Sequence, residues 1–174
     1  MNKLVIADPG RCIGCRTCEV ACVLAHTSGD GLAKLAAAYF IPRLRVVKTT
    51  RVSTPVQCRQ CEDAPCAKVC PTGCLVQSHN SVQVIQSRCI GCKSCVMACP
   101  YGAMDVVTHA EAAERRALVA GPHVEAFKCD LCILRPQGPS CIEVCPTKAI
   151  SLIDARVLEE STRKRREQAA LAAL

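Results

Sequence analysis

Cysteine spacing constrains this chain more than any other feature. Of the 17 cysteines among 174 residues, 16 fall into four groups of four, here numbered motifs one to four in chain order. The motifs are Cys12, Cys15, Cys18 and Cys22; Cys58, Cys61, Cys66 and Cys70; Cys89, Cys92, Cys95 and Cys99; and Cys129, Cys132, Cys141 and Cys145. Every motif begins with C-x2-C and ends with C-x3-C, so one device is repeated four times, and Cys74 is left over.

The spacing within the motifs predicts iron–sulfur ligation. Motifs one and three read C-x2-C-x2-C-x3-C, the run in which three close cysteines bind one [4Fe–4S] cluster and the fourth reaches a second cluster. Structural zinc sites use two separated C-x2-C pairs, which leaves the third close cysteine unexplained. Proline follows Cys70, Cys99 and Cys145, whereas Val23 follows Cys22. We therefore predict four [4Fe–4S] clusters and regard zinc as the weaker alternative.

A secreted disulfide scaffold is the other common interpretation of so many cysteines. The N-terminal apolar run Leu4–Ala7 is too short for a signal peptide, and no apolar stretch reaches the roughly 20 residues of a membrane span. We therefore predict a cytoplasmic protein without direct membrane insertion. In that compartment thiols stay reduced and bind metal or do redox chemistry. Export together with a signal-bearing partner stays open as an alternative.

The net charge changes once clusters are counted. The formal charge is +7 with neutral cysteines. Sixteen thiolates would contribute −16 and four oxidised cores +8, so the loaded protein would carry a charge of about −1. The basic residues then compensate the clusters, and composition argues against a nucleic acid partner.

The connectors between the motifs predict how they pair. Only 18 residues separate Cys70 from Cys89, and they contain the turn "SHN" followed by the alternating run "SVQVIQ". Motifs two and three would then form one unit, and motifs one and four would pair across it. Strands are predicted at Lys3–Ala7, Leu44–Lys48, Val82–Gln86, Asp105–Thr108 and Ala149–Ile153. The predicted fold is α+β, with two ferredoxin-like bis-[4Fe–4S] units, one inserted in the other, and a C-terminal helix.

Crossing the fourth cysteine of each motif to its paired motif gives the ligand sets. The predicted sets are Cys12, Cys15, Cys18 and Cys145; Cys129, Cys132, Cys141 and Cys22; Cys58, Cys61, Cys66 and Cys99; and Cys89, Cys92, Cys95 and Cys70. Cys74 is predicted to pack beside a cluster as a small hydrophobic residue. The four histidines are interpreted as surface or capping residues, since the cysteines already complete four clusters.

The predicted domain boundaries follow the motifs. Residues 1–53 are the first half of the outer unit, 54–109 the inner unit, 110–154 the second half of the outer unit, and 155–174 a docking helix. An Ala-rich helix is predicted before Leu44, and an exposed helix ending near Gly121 in the insert between motifs three and four.

Three cationic side chains have two interpretations. Arg16, Lys93 and Lys128 would raise the reduction potential of a nearby cluster, or they are ordinary solvated charges. Gly14 and Gly91, in the first turn of motifs one and three, are expected to let the loop turn tightly.

The runs "CIGCRTCEVAC", "PVQCRQCEDAPCAKVCP", "RCIGCKSCVMACPYGAM" and "KCDLC…GPSCIEVCPTKAI" resemble the four-cluster electron-transfer subunits of the molybdenum oxidoreductase superfamily. Within that group they are most similar to the HydN-type and formate hydrogenlyase small iron–sulfur subunits. The resemblance covers about residues 1–154. The departures are Val23 in place of proline and Cys74 where a small residue is usual.

This resemblance implies a non-catalytic subunit of a formate dehydrogenase or formate hydrogenlyase complex. It would relay electrons between a molybdenum or tungsten formate dehydrogenase and a hydrogenase, a second iron–sulfur subunit or another acceptor. The alternative is the equivalent subunit of another molybdopterin oxidoreductase or of a hydrogenase. A redox sensor or a structural iron–sulfur protein ranks last, because a sensor needs one exposed labile cluster and not four saturated ones. The sequence has no nucleotide-binding fingerprint.

Overall fold

The computed structural model describes residues 1–27, 35, 40–109 and 123–172. These residues form short strands and helices, in agreement with the predicted α+β class. The strands are β1 (Leu4–Ala7), β2 (Leu44–Lys48), β3 (Ser53–Gln57), β4 (Leu75–Ser78), β5 (Ser81–Val84), β6 (Asp105–His109), β7 (His123–Phe127) and β8 (Ile150–Ile153). The helices are α1 (Thr17–Ala25), α2 (Pro65–Lys68), α3 (Ser94–Ala98), α4 (Ser140–Glu143) and α5 (Ala155–Leu171).

The strands pair as two-stranded antiparallel sheets. β1 pairs with β8, which brings Leu4 opposite Ile153 and joins the two ends of the cysteine-bearing region. The other pairs are β2 with β3, β4 with β5, and β6 with β7. His79 and Asn80 connect β4 to β5 with φ angles of 53° and 54°. Two consecutive positive φ values are typical of a type I′ hairpin turn, so the predicted turn is confirmed.

The five predicted strands are present: β2 has the predicted bounds, and the other four differ at one or both ends. The prediction Val82–Gln86 was wrong at both ends, because the strand is Ser81–Val84 and a 3-10 turn begins at Gln86. β3, β4 and β7 were not predicted.

Helices pack in the same pairs as the motifs that contain them. α1 of motif one packs against α4 of motif four, and α2 of motif two packs against α3 of motif three. The Ser140 hydroxyl donates to the Ala21 carbonyl at 2.9 Å and links the first pair. Two clusters of buried side chains accompany the two pairs, one around Val5 and one around Val82. Cysteines occupy core positions in both, which is where a chain with so few aromatic residues needs them.

Two sheets cross the predicted domain boundaries. β2–β3 and β6–β7 each join a strand of the outer unit to a strand of the inner unit. An ion pair between Arg45 Nη2 and Asp105 Oδ2, 3.0 Å apart, connects β2 to β6. The outer and inner units are therefore held together along their edges, and the boundaries themselves stay predictions.

The predicted C-terminal helix is present as α5. Asp154 caps it by accepting the Val157 N–H at 2.9 Å, and the helix buries none of its residues. The predicted Ala-rich helix before Leu44 and the exposed helix near Gly121 lie almost wholly outside the described residues. None of the helices described is both long enough and apolar enough to cross a membrane.

Candidate iron–sulfur cluster sites

All four C-x2-C loops share one backbone turn. The third residue of each loop has a positive φ: 66° at Gly14, 51° at Gln60, 76° at Gly91 and 62° at Leu131. Glycine adopts this conformation freely, whereas other residues pay for it in strain. The same turn therefore occurs in all four motifs, with glycine at this position in two of them and without it in the other two.

Gly91 also lacks room for a side chain. An added Cβ would lie 2.8 Å from Cγ1 of Val124, a side chain of β7. At Gly14 an added Cβ would meet the Ser53 hydroxyl and, at 2.5 Å, Lys48 Cε. Serine and lysine side chains can rotate away from such a contact. The expected tight turns at both glycines are confirmed by their φ values. Gly91 has the stricter packing, because a β-branched side chain of a strand has few other rotamers.

We expect Gly91→Ala to weaken the motif-three loop more than Gly102→Ala does. Gly102 is the matched control, because its φ is 58° and an added Cβ would have no described heavy atom within 4 Å. In both variants the left-handed backbone conformation of alanine destabilises the loop by about 1–2 kcal/mol. Gly91→Ala adds an overpacking cost of about 1–3 kcal/mol. Heating each variant anaerobically while following visible absorbance measures the difference, and equal rates of bleaching would contradict it.

Two cavities bring predicted ligand sets together. One is lined by Cys12, Cys15 and Cys18 of motif one and by Cys145 of motif four. The second is lined by the first three cysteines of motif three, Cys89, Cys92 and Cys95, together with Cys70 of motif two and Cys74. In each cavity the fourth cysteine comes from the paired motif and not from the same motif.

For the other two sets, the electrostatic effects of the thiols on one another indicate which cysteines lie close together. Burial raises the pKa of Cys66 to about 11, and negative charge on Cys58 and Cys99 adds to the rise. Burial likewise raises the pKa of Cys141, with contributions from Cys129 and Cys22. Cys99 is thus close to the motif-two thiols, and Cys22 is close to the motif-four thiols.

Backbone N–H groups point at the fourth cysteines in a repeated pattern. The N–H groups of Cys74, Ala103 and Ala149 donate to the Sγ atoms four residues earlier, at 3.3, 3.4 and 3.2 Å. Hydrogen bonds to the sulfurs are how proteins stabilise thiolate ligands and tune iron–sulfur clusters. Three thiols of one motif together with the supported fourth cysteine of the paired motif fit a [4Fe–4S] group, whose four irons need one thiolate each.

Cys74 occupies the place that alanine has in two other motifs. It lies four residues after the last cysteine of its motif, as do Ala103 and Ala149, and it is 3% exposed. Burial raises its pKa to about 11. Its sulfur lines the cavity that also contains Cys70 and the motif-three thiols. The interpretation that Cys74 packs beside a cluster without binding it stays a prediction.

The three cationic residues differ in burial. Arg16 and Lys93 are exposed and precede α1 and α3 in the left-handed conformation. Lys128 is 2% exposed, so for this residue the interpretation as a solvated charge is wrong.

His26, interpreted as a surface or capping residue, does cap α1, with Nδ1 2.7 Å from the Cys22 carbonyl oxygen, and it also lies beside two predicted ligands. It ends α1, and its ring nitrogens lie 3.8 Å from Cys22 Sγ and 3.9 Å from Cys132 Sγ. Nε2 is 3.0 Å from the Asp130 carboxylate, which also pairs with Arg43. Burial alone would lower the pKa of His26, but hydrogen bonds to Asp130 and the two thiols raise it. The four-residue spacing from Cys22 along one helix was the signal that sequence reasoning missed.

Comparison with known proteins supports the binding of [4Fe–4S] clusters by this chain. Residues 88–149 match the 4Fe-4S dicluster domain family, and residues 9–22 match the 4Fe-4S binding domain family. Electron transport protein HydN of Escherichia coli (strain K12) is 49% identical over 98% of this chain and 99% of its own. An iron-sulfur protein of Rhodospirillum rubrum is 41% identical, over 88% of this chain and 83% of its own.

A third relative has a name that refers to a complex. Formate hydrogenlyase subunit 2 of Escherichia coli (strain K12) is 38% identical, over 96% of this chain and 89% of its own. Four repeated cysteine motifs, matches to 4Fe-4S families and near-complete coverage of HydN lead to one conclusion. This chain belongs to the HydN-type family of iron–sulfur electron-transfer proteins.

Proposed function

We propose that the chain holds four [4Fe–4S] clusters in the crossed ligand sets and relays electrons without a catalytic centre of its own. When bound, each cluster supplies a one-electron redox couple. The donor or acceptor on one side is a molybdenum or tungsten formate dehydrogenase in the cytoplasm. On the other side is a hydrogenase or another iron–sulfur acceptor.

The observation that carries this proposal is the composition of the two cavities. Cys145 lies with three cysteines more than 125 residues earlier in the chain, and Cys70 lies with the motif-three cysteines. The four cysteines of one motif could all bind one isolated cluster. In crossed sets each motif instead contributes ligands to two sites, so the two sites form a pair. Two such pairs in a chain of this size favour a path of closely spaced redox sites.

Differences in burial support an order of the sites along the proposed path. Cys15 and Cys92 are exposed, and Ile13 and Ile90 in the same loops are each 64% exposed. By contrast Cys58, Cys66, Cys129 and Cys141 are buried. The sites of motifs one and three would then be the two ends of the path, where partners dock. The sites of motifs two and four would be the interior steps.

The formate partner is supported by the relatives and by no feature of the cavities. One relative is named as formate hydrogenlyase subunit 2, and HydN is named as an electron transport protein. Affinity purification of the chain from its native host, followed by identification of the bound subunits, tests the partner. We expect a formate dehydrogenase catalytic subunit or a hydrogenase. Recovery of a different molybdopterin oxidoreductase with neither of these would contradict the proposal.

A further inference from the structure

Lys128 is a lysine buried at the junction of the two units. It follows β7 and precedes the first cysteine of motif four, and only 2% of it is exposed. Its Nζ donates to the Val82 carbonyl, to the Cys129 carbonyl at 2.7 Å and to Gln60 Oε1 at 3.4 Å. Three oxygen acceptors match the three donors of an ammonium group, so the geometry is that of a charged lysine.

The acceptors of Lys128 are uncharged. It takes part in none of the ion pairs found among the described residues. Asp130, two residues later, is instead engaged by His26 and Arg43. A buried charge is costly unless a charge of opposite sign compensates it. Negative charge next to Lys128 can come from the cysteine thiolates of the adjoining motif-two and motif-four loops and from whatever they bind.

Those thiolates belong to both units. Gln60, which lies between Cys58 and Cys61, donates from Nε2 to the Cys129 carbonyl at 2.7 Å and accepts from Lys128. Lys128 thus sits where the motif-two loop meets the motif-four loop. The backbone N–H of Gln60 also donates to Cys58 Sγ at 3.4 Å, so the residue that accepts from Lys128 is itself in contact with a predicted motif-two ligand.

The corresponding residues of the other motifs differ. The residue before the first cysteine is Arg11 in motif one, Gln57 in motif two and Arg88 in motif three. Arg11 and Arg88 are exposed, so water and salt screen their charges. Gln57 is buried but neutral. Among these four positions, a buried positive charge occurs only at Lys128.

We propose that Lys128 carries a fixed positive charge that raises the reduction potentials of both interior sites, those of motifs two and four. This inference rests on the proposed four-cluster function. Reduction adds one electron to a cluster and makes the site more negative by one charge. A buried cation between two sites stabilises the reduced form of each, whereas an exposed cation near an end site does so weakly.

The test is a potentiometric titration of the full-length, cluster-loaded chain, with reduced clusters followed by electron paramagnetic resonance. Lys128→Gln removes the charge and Lys128→Arg keeps it, while Arg11→Gln removes an exposed charge at the corresponding place in motif one. We expect Lys128→Gln to lower the ratio of reduced to oxidised form at fixed potential at least tenfold in two of four clusters. For a one-electron couple this is a shift of 59 mV. Lys128→Arg and Arg11→Gln should change no ratio more than threefold.

The outcomes separate this inference from the proposed function. Wild-type protein with fewer than four clusters would overturn the four-cluster function and this inference with it. Four clusters with unchanged ratios in Lys128→Gln, or a shift confined to one cluster, would overturn this inference alone. If Lys128→Gln does not load, Gln60→Glu places a carboxylate against the ammonium instead. It is expected to lower the same two ratios, and no shift in the loaded Gln60→Glu protein would overturn the inference.

Discussion

Cys70→Ala is expected to lose one complete cluster, which is about four of sixteen irons per chain, whereas Cys74→Ala loses none. Cys70 shares a cavity with the motif-three thiols and accepts the N–H of Cys74 at 3.3 Å, as the fourth cysteines of motifs three and four accept theirs. Cys74 is instead at the place where Ala103 and Ala149 lie, and neither of those can bind iron. Iron and acid-labile sulfide assays on the purified variants measure the difference.

Cys74→Ala is the matched control for Cys70→Ala, since Cys74 is a second thiol of the same cavity. Equal iron loss from both single variants would show that the wrong cysteine was chosen. The double variant Cys70→Ala with Cys74→Ala adds a further check. Iron retained in Cys70→Ala but lost in the double variant would show that Cys74 can replace Cys70 as the fourth ligand, contrary to the expected loss of a cluster.

The double variant Cys12→Ala with Cys145→Ala is expected to lose no more iron than either single change. Both cysteines line one cavity, so removing either empties the same site, about four irons. Ligands of a shared site are non-additive, while ligands of separate sites add. Iron content of the two single variants and the double variant measures this directly.

The matched comparison is Cys22→Ala with Cys145→Ala. Cys22 lies near the motif-four thiols Cys129 and Cys141, so this pair would belong to two sites and lose about eight irons. If each motif instead held its own cluster, Cys22 and Cys145 would still belong to two sites, but so would Cys12 and Cys145. Eight irons would then be lost with Cys12 and Cys145, and the crossed sets would be wrong.

Local features of the fold followed from sequence because they depend on neighbouring residues. The turns in the C-x2-C loops of motifs one and three were signalled by Gly14 and Gly91, and the alternating runs predicted five strands. Gln60 and Leu131 adopt the same turn with no glycine to indicate it. β7 was missed because its short run "HVEAF" directly follows an insert, and its partner β6 is contributed by another motif.

Long-range burial could not be inferred from sequence. Arg11, Arg88 and Lys128 each precede the first cysteine of a motif. Only the three-dimensional fold determines that the two guanidinium groups are exposed and that the ammonium group is buried. His26 likewise looked like one scattered histidine of four. Its contact with Cys132 spans 106 residues and depends on how α1 meets the motif-four loop.

The most direct measurement of the central claim is the iron and acid-labile sulfide content of the anaerobically purified wild-type chain. Four [4Fe–4S] clusters predict about sixteen irons and sixteen sulfides per chain, with zinc absent. Substantially fewer irons, or zinc in place of iron and sulfide, would contradict the claim that all four motifs serve iron–sulfur clusters.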